Sequence, residues 1–399
     1  MKKYLIIIII LFSINIFSAK YIFFFLGDGM GLNHLKLANE YSINQYGNEL
    51  NYLELDNFSL LDTKSLSGVT DSAAAITAIM SLEKTHNSKI NIDKNGNKLN
   101  PISYHFKDIN YNISVITSNS IVDASPAGVY AKTNSRQNYS TISNQLLESQ
   151  FDLFIGGGRA FLSEEDIKKK GYVYKNSIDF DLISEKPEII LTSYANNKLI
   201  KDSQNKSFYK DSLEYAIKKF DGEDFFIFIE GGRIDHTSHA HDSLSTIEEI
   251  IAFDQSLESA LDFYEKHPEE TIILFMADHE TGGLSLGDGF INVNNLESQK
   301  YSYEVFIKLI ENSIDYQNFL ENTNLSFLSE KDFNSAKSEG NISYFDDIVQ
   351  NYLNKYSNAA GIKWSSFGHT INNVPIFSQG IDYGNYLQLK DIFWKIIKK

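Results

Sequence analysis

The chain has 399 residues, 42% hydrophobic and 22% charged, a composition that fits one large domain or two modest ones and excludes disorder. Its net charge of −16 excludes a general grip on nucleic acid or anionic lipid, so any anion it handles must meet local positive charge, from a metal or a single arginine. It has no cysteine, which rules out disulfides and thiolate nucleophiles and leaves His, Asp and Glu as metal ligands.

At the start of the chain, Lys2 and Lys3 precede the apolar run Tyr4 to Leu11, and Ser18 and Ala19 follow. This pattern predicts a secretory signal peptide over residues 1–19 and a single domain over residues 20–399. It implies export to a periplasm or the cell exterior, or attachment to the membrane if the segment stays uncleaved. The run is short against the roughly 20 residues of a bilayer span.

The next stretch, YIFFFLGDGMG at residues 21–31, opens as a buried strand rich in aromatic residues and breaks at Gly27, Gly29 and Gly31. Asp28 would repel a pyrophosphate and Leu32 occupies the third glycine position, so the stretch is not a dinucleotide cradle. Further apolar runs at 113–117, 153–155, 225–229 and 272–276 alternate with helical spacing after residues 71, 211 and 243. Strands alternating with helices predict an α/β fold with a mostly parallel sheet covered on both faces. Asn95-Gly96 predicts a hairpin turn; the stretch also hints at an EF-hand loop, but Ile102, not Glu, stands at the twelfth position from Asn91, which favours the hairpin. Residues 290–360, rich in Asn, Ser and Glu, read as a peripheral insertion, and DIFWKIIKK as a terminal amphipathic helix with a basic tip.

Four strands lead to carboxylates: Asp28, Asp123 in VDASPAG, Glu230 after FFIFI, and Asp278, with His279 next. The carboxyl ends of parallel strands meet along one edge, where ligands bind. Four acids gathered there would repel one another, and cations would remove the conflict. The alternative for each acid is a helix N-cap. In IEGGRIDHTSHAHD, Asp235 and His239 stand four apart, on one face of a helical turn and within reach of one cation. His369, in SFGHT, could complete three N/O ligands and leave a zinc position open. His236 and His241 fall off that face, and His34, His86, His105 and His267 read as ordinary histidines.

Ser72, in GVTDSAAAITAIM, stands where the alanine-rich helix begins. Free N–H groups there favour an anion such as phosphate, and a serine touching a metal could ionise and attack. The alternative is that Thr70, Asp71 or Ser72 only caps the helix. Arg136, thirteen residues after Asp123, could fork two phosphate oxygens; Arg159 and Arg233 compete for that role.

Taken in order, GDGMG, TDSAAA, DASPAG followed by Arg136, IEGGRIDHTSH, ADHETGG and GHT resemble the alkaline phosphatase family, over roughly residues 21–285 and 364–380. The resemblance implies a three-layer α/β/α sandwich whose site holds two zinc ions and one magnesium ion. By motif, Asp235, His239 and His369 resemble the ligands of the first zinc, and Asp28, Asp278 and His279, with Ser72, those of the second. Asp28, Ser125 and Glu230 resemble the magnesium ligands, Asp123 the residue holding a magnesium-bound water, and Arg136 the phosphate clamp. The implied activity is hydrolysis of small phosphate monoesters through a phosphoserine, in a family that is commonly dimeric, which makes a homodimer the expected assembly; the acidic charge is what argues against a nucleic-acid-binding surface. A phosphodiesterase or sulfatase of the same superfamily is the nearest rival; the C/S-x-P-x-R setting of a sulfatase is absent. A non-catalytic phosphate or metal scavenger would not need Ser72 and Arg136.

Overall fold

Residues Tyr21–Gly27 are all buried. A run with no polar face to give to water becomes an interior strand covered on both sides. In the computed structural model, which describes residues 19–287 and 289–397, this is strand β1. The following strands are β2 (Asn57–Asp62), β3 (Asn112–Ser120), β4 (Leu153–Gly157), β5 (Val173–Lys175), β6 (Glu188–Ser193), β7 (Phe225–Glu230) and β8 (Thr271–Ala277). Four two-residue strands come next: β9 (Glu280–Thr281), β10 (Ser285–Leu286), β11 (Ile362–Lys363) and β12 (His369–Thr370). β13 (Val374–Gln379) and β14 (Tyr386–Gln388) close the chain.

Ten strands form one sheet in the order β14-β2-β13-β8-β1-β7-β3-β4-β6-β5. Only β13 runs against its neighbours, so the sheet is mostly parallel, as the alternation of strands and helices predicts. β9 pairs with β12 and β10 with β11, both antiparallel and off the main sheet.

The period of two along β1 sorts its rings between two helical layers. Phe23 and Phe25 face the helix Ser243–Lys266, through Phe263 and Phe253. Phe24 points the other way, against Phe393 of the terminal helix Ile392–Ile397. All three phenylalanines are fully buried, and truncating Phe24 to alanine is expected to cost about 3–5 kcal/mol.

Residues 290–360 are more helical than their sequence suggests, with helices Tyr303–Asn312, Tyr316–Thr323, Glu330–Glu339 and Asp347–Ala359. Phe306, Phe333 and Tyr352 from this segment join the same hydrophobic cluster as the sheet. The hairpin at Asn95-Gly96 is reduced to one bridge, Ile92 with Lys98, around a turn gathered by the Asp93 carboxylate. Among the described residues no helix is long and apolar enough to cross a membrane. The signal segment up to residue 18, and the basic tip at Lys398 and Lys399, lie outside the described residues.

Candidate metal centre

The four strands that lead to carboxylates, β8, β1, β7 and β3, are consecutive neighbours in the sheet. Gly27 pairs with Ala277 and Leu26 with Glu230, so Asp28, Asp278 and Glu230 leave the edge at nearly one level. The helix-cap reading holds for Asp123, whose carboxylate accepts the Ala124 N–H at 2.7 Å. It fails for the others: the helices after β1 and β7 begin at Gly31 and Gly232 without a side-chain cap, and Asp278 leads into β9. At the Ser72 helix the cap is Asp71, which accepts from the Ala74 N–H at 2.9 Å and leaves the serine hydroxyl free for another role. Gly29 has a positive φ, and a Cβ there would stand 2.9 Å from Asp235 Oδ1 and 2.8 Å from Thr281 Oγ1. The glycine lets the first loop press against Asp235 and Thr281, side chains of two other elements.

Two groups of donors result. In the first, His239 Nε2 lies 3.3 Å from Asp235 Oδ2 and 3.2 Å from His369 Nε2, which lies 3.6 Å from Asp235 Oδ1. In the second, His279 Nε2 lies 3.2 Å from Ser72 Oγ and 3.3 Å from both Asp28 Oδ1 and Asp278 Oδ2. Asp28 Oδ1 and Asp278 Oδ2 are buried without a hydrogen-bond partner. One imidazole nitrogen carries at most one proton, so it cannot satisfy three oxygens. A cation can, and ligand atoms bonded to a tetrahedral zinc at about 2.0–2.1 Å stand about 3.3 Å apart. Both donor sets therefore fit a metal.

Beside Asp28 a third group holds oxygens alone. Ser125 Oγ donates to Asp28 Oδ2 at 3.4 Å, and Glu230 accepts from Thr117 Oγ1 while its Oε1 is buried without a partner. Arg136 stands between two helix caps, with Nη2 3.2 Å from Asp123 Oδ1 and Nη1 3.6 Å from Oδ2 of Asp71, the residue before Ser72. Its rivals are elsewhere: Arg233 is buried against His236 and Glu304, and Arg159 lines a different cavity. That cavity, about 710 Å³ and walled by Phe180, Phe208 and Glu249, includes none of the predicted ligands.

The charges in the second and third groups conflict. Burial, and then Asp278 and Asp235, raise Asp28 well above the carboxylate range. Burial lifts Glu230 to about 8 and Asp278 to about 7. Burial and His369 hold His279 well below the usual imidazole range, so its lone pair is free. The first group balances itself. Burial opposes charge on Asp235, but His239, His369 and His279 hold it well below the usual value, and Asp235 in turn lifts His239 to about 9 against the cost of its own burial. Burial opposes the charge on Arg136 too, yet Asp123, Asp71 and Asp28 keep it firmly protonated.

All eleven predicted site residues thus meet at one sheet edge. His236 and His241 stand off the clusters as predicted: His236 faces Arg233, and His241 stacks between Trp364 and Phe367. Thr281, which the sequence reading passes over, joins the two clusters. Its hydroxyl donates to Asp235 Oδ1 at 2.6 Å and lies 3.3 Å from His279 Nδ1. Its only signal was its place two residues after His279. Thr117 was visible as a polar residue in the apolar run ISVIT.

A family model described as alkaline phosphatase matches residues 19–388. Alkaline phosphatase 3 of Bacillus subtilis is 26% identical over 396 residues, covering 90% of this chain and 84% of the relative. Among solved structures, a cold-active alkaline phosphatase from a psychrophilic Shewanella superposes with a TM-score of 0.83 at 21% identity, over 95% of this chain and 99% of that one. A variant of the alkaline phosphatase of the Antarctic bacterium TAB5, with a histidine changed to aspartate and Mg bound in its M3 site, gives 0.72 at 24% identity, over 96% and 97%.

Proposed function

The chain belongs to the alkaline phosphatase family, and from that premise we propose how its own residues perform metal-dependent hydrolysis of phosphate monoesters. The observation that carries the reading is Ser72 Oγ at a helix N-terminus, 3.2 Å from His279 Nε2, with the Arg136 fork held beside it by Asp71 and Asp123.

Asp235, His239 and His369 would hold one zinc ion; Asp28, Asp278 and His279, with Ser72, a second. Asp28, Ser125 and Glu230 would hold magnesium, a hard cation suited to an all-oxygen set, with Asp123 fixing one of its waters. Bound there, the cations would neutralise the crowded carboxylates, lower the pKa of hydroxyl and water oxygens, and stabilise negative charge on the attacking and departing oxygens.

Arg136 binds two phosphate oxygens in its planar fork, and the free N–H groups at the start of the Ser72 helix face the remaining charge. Asp71 ties that turn down through Ala74 N–H and Ser88 N–H. Ser72 gives up its proton to solvent water and attacks phosphorus in line. The bond from phosphorus to the ester oxygen breaks, and the departing alkoxide takes a proton from water, leaving hydroxide. A second water loses a proton to that hydroxide and attacks the phosphoserine from the vacated side. The Ser72 oxygen leaves, recovers a proton, and inorganic phosphate is released. Burial and His369 keep the His279 imidazole uncharged, so its Nε2, facing Ser72, Asp28 and Asp278, would give its lone pair to the cation and not shuttle the proton.

Export of the mature chain is part of this reading, supported by Lys2, Lys3 and the apolar run after them, and a homodimer by the family resemblance alone. The central test pairs elemental analysis with turnover of p-nitrophenyl phosphate before and after chelation. Two zinc and one magnesium per chain are expected, with activity lost on stripping and restored on reloading. Ser72→Ala is expected to lower turnover by roughly 10³-fold or more while keeping the metals, and no phosphorylated peptide should be trapped from it. Near-normal turnover by Ser72→Ala would overturn the phosphoserine route.

A further inference from the structure

We propose that Phe345 and Phe367 form a leaving-group site that selects phosphate monoesters whose alcohol carries an aromatic ring. The proposal rests on the phosphatase reading above and names the substrate class of that same site.

Phe367 is tied to the metal-binding cluster directly, because its backbone carbonyl accepts from His239 Nδ1. Its ring is fixed as well: one face stacks on His241, with centroids 4.1 Å apart and planes 8° from parallel. Phe345, delivered by the segment 290–360, meets the Phe367 ring at 5.1 Å and 66°. Phe345 is 57% exposed and Phe367 37% exposed. Two rings at that angle make an open corner, and a flat guest can stack on one while meeting the edge of the other at the usual 4.5–7 Å between centroids. Tyr344 backs the corner, its ring centroid 4.3 Å from that of Phe345 and 6.4 Å from that of Phe367, the residue whose carbonyl meets His239.

The chemistry points the leaving group the same way. In-line attack by Ser72 expels the ester oxygen on the side away from the serine. The Asp235, His239 and His369 cluster is the more open of the two, with side chains of His239 and His369 22% and 14% exposed against 0% for His279. An alcohol leaving past that cluster meets the corner. Two rings left exposed beside a polar, water-accessible cluster cost free energy when unoccupied, and an aromatic guest would cover them.

The test compares kcat/KM of the metal-loaded wild type, Phe345→Ala and Phe345→Trp on three substrates. 1-Naphthyl phosphate places a ring at the ester oxygen, adenosine 5′-phosphate places one beyond a ribose, and ethyl phosphate has none. Phe345→Ala is expected to lose about 5–10-fold on at least one ring-bearing ester and less than about twofold on ethyl phosphate, with inhibition by inorganic phosphate unchanged. Phe345→Trp should restore the loss. Which ring-bearing ester suffers identifies the aryl or the nucleobase source. An equal loss on all three esters, or none on either ring-bearing ester, overturns the proposal while leaving the phosphatase intact. A wild type that hydrolyses none of the three overturns the phosphatase reading, and the leaving-group site with it.

Discussion

The two donor clusters use the same residue types and differ in how they keep their charge. Asp235, His239 and His369 sit partly open, and within that cluster acid and base satisfy each other: Asp235 is held ionised and His239 is raised to about 9. Asp28, Asp278 and His279 are sealed, and there burial favours the uncharged form of every member. The open cluster can persist as an ion pair without metal, whereas the sealed one is a stored electrostatic conflict that a cation resolves. Solvent access, more than ligand identity, separates a site that tolerates emptiness from one that does not.

The largest expected effect comes from breaking the sealed cluster at Asp28, which touches both His279 and Ser125. Asp28→Ala should lower kcat/KM by about 10³-fold or more, with loss of metal seen by elemental analysis. The same change should make the metal-stripped chain no less stable, because it removes a buried acid whose Oδ1 has no hydrogen-bond partner and whose Oδ2 has only the long 3.4 Å bond from Ser125. A stripped Asp28→Ala protein that melts well below the stripped wild type would contradict the stored-conflict picture.

A pH series on the stripped chain sharpens the contrast. Glu230 rises from 4.5 to about 8 and Asp278 from 3.8 to about 7, so between those values the folded chain binds more protons than the unfolded one. Stability then falls as pH rises from about 4 to 8, by a few kcal/mol in order of magnitude. His239 adds to the trend: raised from 6.5 to about 9, its contribution is full below 6.5 and is lost as pH climbs through 9. Thermal melts in chelator should therefore be higher at pH 6 than at pH 9. Zinc and magnesium should reverse the order, because protons compete with them for the same oxygens at the lower pH. Glu230→Gln should flatten the stripped curve.

Arg136 lies outside both clusters and should move binding more than chemistry. Arg136→Ala is expected to raise KM and the inhibition constant for inorganic phosphate by about 10–100-fold, with a smaller fall in kcat. Arg136→Lys should recover only part of this, since an ammonium cannot make the fork. A change confined to kcat would remove Arg136 from the phosphate contacts.

Much of this centre was legible in the sequence because each piece is local. Asp28, Glu230 and Asp278 each end an apolar run, and Asp235 with His239 shows its shared face through spacing alone. What joins the pieces was less visible. β13 sits between β2 and β8 and runs backwards, yet its sequence contains Pro375, which reads as an edge-strand or turn residue. The helices of 290–360 were hidden by polar composition, although Ser302, Asp315 and Ser329 mark their starts as side-chain caps. Arg233 with Glu304, and Phe345 with Phe367, are contacts over long sequence separations that no periodicity encodes. Asp123 and Asp71 show why cap and function could not be told apart beforehand: both cap helices and both hold Arg136.

The smallest expected effect is also the most direct probe of coupling between the clusters. Thr281 hydrogen-bonds to Asp235 on one side and reaches His279 on the other, beside His369, whose ring stacks on His279 at 3.6 Å and whose Nε2 lies 3.6 Å from Asp235. Its hydroxyl has one proton, and the 2.6 Å contact commits it to Asp235 Oδ1, so it orients the open cluster and only borders the sealed one. Thr281→Val preserves the shape and removes the donor. Asp235 also faces the missing Cβ of Gly29, so without that hydrogen bond its carboxylate can turn but has little room to shift. Metal affinity should fall by about 10-fold at the open cluster, within the range for groups that orient metal ligands, and by less than about twofold at the sealed one. Sequential chelator titration of the loaded protein reads the two steps separately. Equal weakening of both steps would mean that Thr281 couples the clusters into one unit, and the distinction between them would have to be abandoned.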